Sequence, residues 1–114
     1  HPLNVSTCYH LGYALFDCAM PTRDARHGRL YALSASTARP NSGSDWLQYI
    51  YIGDDQYMRK SGPISPGCDC PVCRHYSLAY LSHLYRMKDA AYQRLASQHN
   101  LRFMTQLMEF LRNE

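Results

Sequence analysis

No stretch of 18 or more apolar residues occurs in the sequence, so no segment has the composition of a membrane-spanning helix and no membrane partner is expected. The opening residues, HPLNVSTCYHLGY, have no basic segment followed by an apolar core, and so do not read as a secretion signal. They also lack an initiator methionine and read as the middle of a domain, so the chain is expected to be a piece of a longer one. Internal repeats are absent. Lysine is nearly absent too: only Lys60 and Lys88 stand among twelve basic residues, the other ten being Arg. The net charge of +3 is a weak signal, but arginine offers a planar fork for phosphate and a plane that stacks on bases, which is compatible with RNA. High genomic GC content gives the same bias. An evenly spread, even-numbered set of cysteines is missing as well, which argues against an extracellular disulfide scaffold.

What is present fits one domain of common size: 114 residues, 46% hydrophobic and 18% charged, the balance of a globular chain rather than a disordered one. Three of the five cysteines, Cys68, Cys70 and Cys73, crowd into six residues, while Cys8 and Cys18 stand apart. That pattern points to a reducing, cytoplasmic compartment and to a metal.

Local patterning gives a β-rich first half, a metal knuckle and two helices. Asn4 or Ser6 is a candidate cap for a short helix running through Leu11 and ended by Gly12. Tyr13 to Met20 (YALFDCAM) is an apolar run bounded by Gly12 and Pro21, which predicts a buried strand interrupted by Asp17. Pro21 then predicts a polar turn, PTRDARHG, with Arg23, Arg26 and Arg29 spaced by three. Further strands are predicted at Leu30 to Leu33 and at Trp46 to Ile52, with an exposed loop from Ser34 to Asp45 between them. From Tyr76 onward the period becomes helical: Leu78, Leu81, Leu84 and Tyr85 share one face, with Ser77 near the start. A second stripe, Leu101, Met104, Leu107, Met108 and Leu111, follows His99, which is placed at the start of the last helix. Both stripes are packing surfaces.

The string CDCPVCR sets three thiols at C-x-C-x2-C spacing on a loop containing Pro71. Such a turn can aim three sulfurs at one point, and a structural zinc wants four thiolate or imidazole ligands in a tetrahedron. His75 follows too closely to reach back comfortably, and His83 falls mid-helix on a surface face. His99 comes after an excursion long enough to fold onto the knuckle. A site of Cys68, Cys70, Cys73 and His99 holding one Zn2+ per chain is therefore expected, with free buried thiols as the plain alternative. With four good ligands at hand, a structural zinc is favoured over a catalytic one.

FDCAMPTRDARHG, followed by CDCPVCRHYSLAYLSHLYR and HNLRFMTQLM, resembles the C-terminal part of the tRNA-guanine transglycosylases, also called queuine tRNA-ribosyltransferases. The resemblance runs from about Leu11 to Met108 and rests on FDC-x-x-PTR, C-x-C-x2-C, and a His after 25 intervening residues. It implies an α/β fold: the C-terminal part of a (β/α)8 TIM barrel with a zinc-binding subdomain. Residues 1–35 would be the last barrel strand region and 36–114 the zinc subdomain with the C-terminal helices. It implies exchange of the wobble guanine of tRNA for queuine or a 7-deazaguanine precursor. Asp17 of the FDC motif would be the nucleophile, and a carboxylate suits capture of a cation-like sugar as a covalent glycosyl intermediate. Thr22 and Arg23, with Arg26 beyond, are similar to the segment that contacts the anticodon loop. Cys18 reads as a packing residue, and Cys8 has no assigned role.

The link between Asp17 and Cys68 is longer than is usual in the bacterial enzymes, with the excess in the 34–45 loop. A whole barrel needs roughly 200 residues or more. The family's general acid/base Asp and most of its base pocket lie upstream, so this chain alone is expected to be inactive. The resemblance also suggests a homodimer with the zinc subdomain near the contact. The rival reading is a non-catalytic, zinc-bearing accessory subunit or RNA-binding module, against which the intact FDC and PTR motifs argue.

Overall fold

In a computed structural model, which describes residues 1–34 and 46–113, five helices pack around a two-stranded sheet. Helix α1 (Pro2–His10) starts earlier than Asn4 or Ser6. Pro2 suits a helix's first turn because its missing N–H costs nothing there, and the His1 side chain accepts from the Leu3 N–H at 3.3 Å. Gly12, at φ +109°, ends the element where expected.

The predicted strand at Tyr13 to Met20 does not form. Residues 13–18 are irregular, and Leu11, Tyr13 and Leu15 are 73%, 63% and 89% exposed. An apolar run becomes a strand only against a partner. Among the described residues the only sheet pairs β1 (Arg29–Leu33) with β2 (Leu47–Tyr51), which leaves 13–18 without one.

The expected PTR turn is also corrected. Met20–Arg26 forms helix α2, with Pro21 in the first turn and Pro21, Asp24 and Ala25 buried at helical spacing. Proline there is a start signal as readily as a turn signal. Arg29 lies beyond the helix, in β1. Gly28, at φ +87°, makes the corner, and a Cβ on it would sit 3.0 Å from the Tyr85 ring.

The strands pair antiparallel in the register Arg29↔Tyr51 to Leu33↔Leu47. Alternation along them feeds two cores. Leu30, Ala32, Ile50 and Ile52 face one cluster, with Val72, Leu78, Leu81, Leu84, Leu95 and Ala96. Tyr31, Leu33, Leu47 and Tyr49 face the other, with Val5, Trp46, Phe103, Leu107 and Leu111. The Ser34–Asp45 loop falls, apart from Ser34, outside the described residues.

A short helix α3 (Pro71–His75) follows the first two knuckle cysteines. Helix α4 (Leu78–Arg86) is capped by Ser77, which accepts from the Tyr80 N–H at 3.1 Å, and it buries Leu78, Leu81 and Leu84 as its periodicity predicts. The last helix, α5 (Ala90–Arg112), is capped by Asp89 and begins nine residues before His99. His99 therefore lies inside the helix rather than at its start. Of the expected stripe, Leu107 and Leu111 are buried and Met104 and Met108 pack half-buried, but Leu101 is 48% exposed. Phe103 takes the place in the core. At about 1.5 Å per residue the helix runs roughly 34 Å. Its first half packs in one cluster and its second half in the other, with His99 and Asn100 at the junction. No helix among the described residues is long and apolar enough to cross a membrane.

Candidate metal centre

Cys68 and Cys70 stand on the loop before α3, and Cys73 lies within it. The turn is fixed from inside. The Cys70 Sγ caps α3 by accepting from the Cys73 N–H at 3.3 Å, and the Cys68 N–H donates to the Ser65 carbonyl at 3.2 Å. The three sulfurs thereby converge on one atom of α5. His99 Nδ1 lies 3.8 Å from Cys68 Sγ, 3.4 Å from Cys70 Sγ and 3.4 Å from Cys73 Sγ. All four ligand atoms lie within 4.8 Å of one another, and this is the only such cluster of His, Cys, Asp and Glu among the described residues. With bonds near 2.3 Å to sulfur and 2.0–2.1 Å to nitrogen, a tetrahedral zinc sets S and N about 3.5 Å apart. The donor set and its spacing fit that ion.

The far side of the imidazole is also committed. His99 is fully buried, and its Nε2 meets the Tyr31 carbonyl at 2.7 Å. A carbonyl can only accept, so Nε2 carries a proton and Nδ1 is the nitrogen that faces the sulfurs, free to be a ligand once its own proton leaves. Without a metal the thiols and the ring divide the protons unevenly. The hydrogen bond with Cys73 draws the Cys68 thiol down to about 4, and the same contact with Cys68 holds the Cys73 thiol far above its usual range. Burial opposes charge on His99, but hydrogen bonds to Cys68 and Cys70 outweigh it and raise the ring to about 9. Cys68, Cys70, Cys73 and His99 would exchange those protons for a bound cation.

A second grip holds the knuckle from outside. Asp69, between two of the cysteines, receives Arg102 in a fork, Nε at 2.8 Å and the terminal nitrogen at 3.0 Å, and Gln106 Nε2 at 2.9 Å. Arg102 also reaches Glu109 at 3.0 Å. Sequence reasoning misses this pairing, although the i, i+3 placement of His99 and Arg102 on α5 is a signal for it.

Of the other predicted site residues, Asp17 is exposed on the irregular segment before α2. Thr22 is half-buried, with its hydroxyl donating to the Ala19 carbonyl at 3.2 Å, and Arg23 and Arg26 are exposed on α2. Cys18 is exposed rather than packed, and its sulfur accepts from the Met20 N–H at 3.3 Å. His75 and His83 are exposed and take no part in the cluster. Beneath α2, Asp24 accepts from Arg29 at 3.0 Å and from the Tyr31 hydroxyl, whose proton is held firmly by burial and by that carboxylate.

The profile of the queuine tRNA-ribosyltransferase family matches residues 1–114. The chain belongs to this family. Similar proteins include the queuine tRNA-ribosyltransferases of Helicobacter acinonychis (strain Sheeba), 39% identical over 112 residues, and of Clostridium acetobutylicum, 34% identical over 112 residues. That of Psychrobacter cryohalolentis is 39% identical over 102 residues. The alignments cover 98%, 98% and 90% of this chain but only 27%, 26% and 24% of the relatives. The chain thus spans about a quarter of the length of these queuine tRNA-ribosyltransferases and corresponds to their C-terminal region.

Proposed function

We propose that this chain is the C-terminal region of a tRNA-guanine transglycosylase, and that it supplies the nucleophile, part of the RNA grip and a structural zinc site to the whole enzyme. The observation that carries the reading is the convergence of Cys68, Cys70 and Cys73 on His99 Nδ1, in a chain that matches the family from end to end. A zinc ion held by these four side chains would act as a staple joining the knuckle to α5, with no open position for chemistry.

In the whole protein, Asp17 attacks the anomeric carbon of the wobble nucleotide. The bond to guanine breaks as the carboxylate–sugar bond forms, and queuine or a 7-deazaguanine precursor then displaces Asp17 from the same carbon. Two inversions give net retention. The proton for the departing guanine comes from an acid outside this chain. Exposure of Leu11, Tyr13 and Leu15 around the Asp17 segment supports placing that segment beside further strands of a (β/α)8 barrel, with residues 1–35 on the barrel side of the division. Arg23 and Arg26, exposed on α2 just beyond the nucleophile, suit the phosphates of an anticodon loop. The working form is a cytoplasmic homodimer.

The test is Asp17→Ala in the full-length protein. Base exchange should fall by a factor on the order of 10⁴ or more, and no covalent RNA–protein adduct should form. Exchange near the parent rate refutes the assignment of Asp17.

A further inference from the structure

We propose that Asn100 is a positioning residue that locks the basic helix α2 to the metal-bearing helix α5, so that Arg23 and Arg26 meet RNA in one fixed orientation. The inference rests on the RNA contact proposed above for those two arginines.

The Asn100 side chain is fully buried and uses both ends of its amide. Its Oδ1 accepts from the Tyr31 N–H at 3.0 Å, and its Nδ2 donates to the carbonyls of Pro21 at 3.0 Å and Arg29 at 3.1 Å. One residue of α5 thus ties the opening turn of α2 to the strand that follows it. The preceding residue, His99, holds the Tyr31 carbonyl, so both polar groups of the Tyr31 backbone are gripped by consecutive residues of α5. A second tie acts at the other end of α2, where the Tyr92 hydroxyl donates to the Ala25 carbonyl at 2.8 Å.

A helix of seven residues has no stable existence or direction of its own in water. Its direction here comes from what it docks on. Pro21, Asp24 and Ala25 are buried, while Arg23 and Arg26 are left outward. A shift of the docked side re-aims both guanidinium groups together. The Asn100 bond to Pro21 fixes where the chain enters α2, only a few residues after Asp17, and the bonds to Tyr31 and Arg29 hold the strand that follows, all from the helix that carries His99.

The experiment uses full-length protein and an anticodon stem–loop RNA with guanine at the wobble position, with affinity measured across a salt series. Arg23→Ala/Arg26→Ala should lower the slope of log affinity against log salt by about 0.7–0.9 for each phosphate no longer neutralised. Asn100→Ala should lower it comparably and weaken binding about tenfold or more, with zinc content unchanged. Added to the double arginine variant, it should weaken RNA binding no further. Leu111→Ala, a core variant at the far end of α5, should lower the melting temperature and leave the slope alone. If Asn100→Ala does not fold, Tyr92→Phe, which removes a single hydroxyl, takes its place with the same expectation. The parent slope in the folded Asn100 or Tyr92 variant, beside a reduced slope in the arginine variant, overturns the proposal. The parent slope in the arginine variant refutes the RNA contact instead. Amide exchange over residues 20–26 then decides the lock: faster exchange in the variant supports it, and unchanged exchange overturns it.

Discussion

Replacement of His99 by Ala tests the centre of the structure most directly. The ring offers one of the four candidate ligand atoms. Structural zinc sites bind with an apparent 10–16 kcal/mol at neutral pH, so an even share is about 2.5–4 kcal/mol. The ring also satisfies the Tyr31 carbonyl from a fully buried position, and an acceptor left unpaired there costs about 1–3 kcal/mol. The emptied volume adds to both. The sum, roughly 4–7 kcal/mol, is comparable with the whole stability of a typical domain. Zinc per chain, measured by atomic emission, should fall from about one to well below one. The melting temperature should fall by about 15 °C or more. Cys70→Ser should share the metal loss while keeping an oxygen to cap α3. About one zinc retained in His99→Ala, with melting within a few degrees of the parent, refutes the four-ligand site.

Two further outcomes follow from the geometry. Zinc affinity should rise with pH. At neutral pH the metal must displace protons from His99, raised to about 9, and from Cys73, held higher still, whereas Cys68, at about 4, has already lost its own. Anywhere between about pH 5 and 8 the slope of log affinity against pH should be two or more, and a slope near zero rejects the ligand set. Gly28→Ala should destabilise the fold by about 1–2 kcal/mol, because it forces a side chain into φ +87° and against the Tyr85 ring. Equal midpoints in denaturant would show the corner to be relaxed.

The sequence makes the cluster of Cys68, Cys70, Cys73 and His99 legible because the information is local and chemically narrow: three thiols in six residues, and a need for one more donor suited to zinc. The strands at β1 and β2 and the buried face of α4 are legible for a similar reason, since periodicity records which side is covered. Elements whose conformation is decided by distant partners are not. Tyr13 to Met20 carries a strand's composition, but composition does not supply the neighbouring strand. Pro21 is compatible with a turn and with a helix start, and the burial of Asp24 and Ala25 decides between them. His99 looks like the boundary of the last helix only if the core positions Tyr92, Leu95 and Ala96 before it go uncounted. Asn100 gives no local signal, because its three partners lie 69, 79 and 71 residues away.

The pairing of β1 with β2 bears on how this chain tolerates changes in length. Register fixes Leu33 opposite Leu47, the Ser34 N–H donates to the Trp46 carbonyl at 2.8 Å, and the Leu33 N–H donates to Ser65 Oγ at 3.2 Å. Both ends of the intervening stretch are therefore anchored whatever lies between them. Closing such a span costs only about 0.6 kcal/mol more each time its length doubles. Evolution can lengthen this hairpin at small thermodynamic cost and leave the thiols and His99 where they are. Residues added between these strands form a plot where new contacts can be tried without disturbing the cluster of thiols and imidazole.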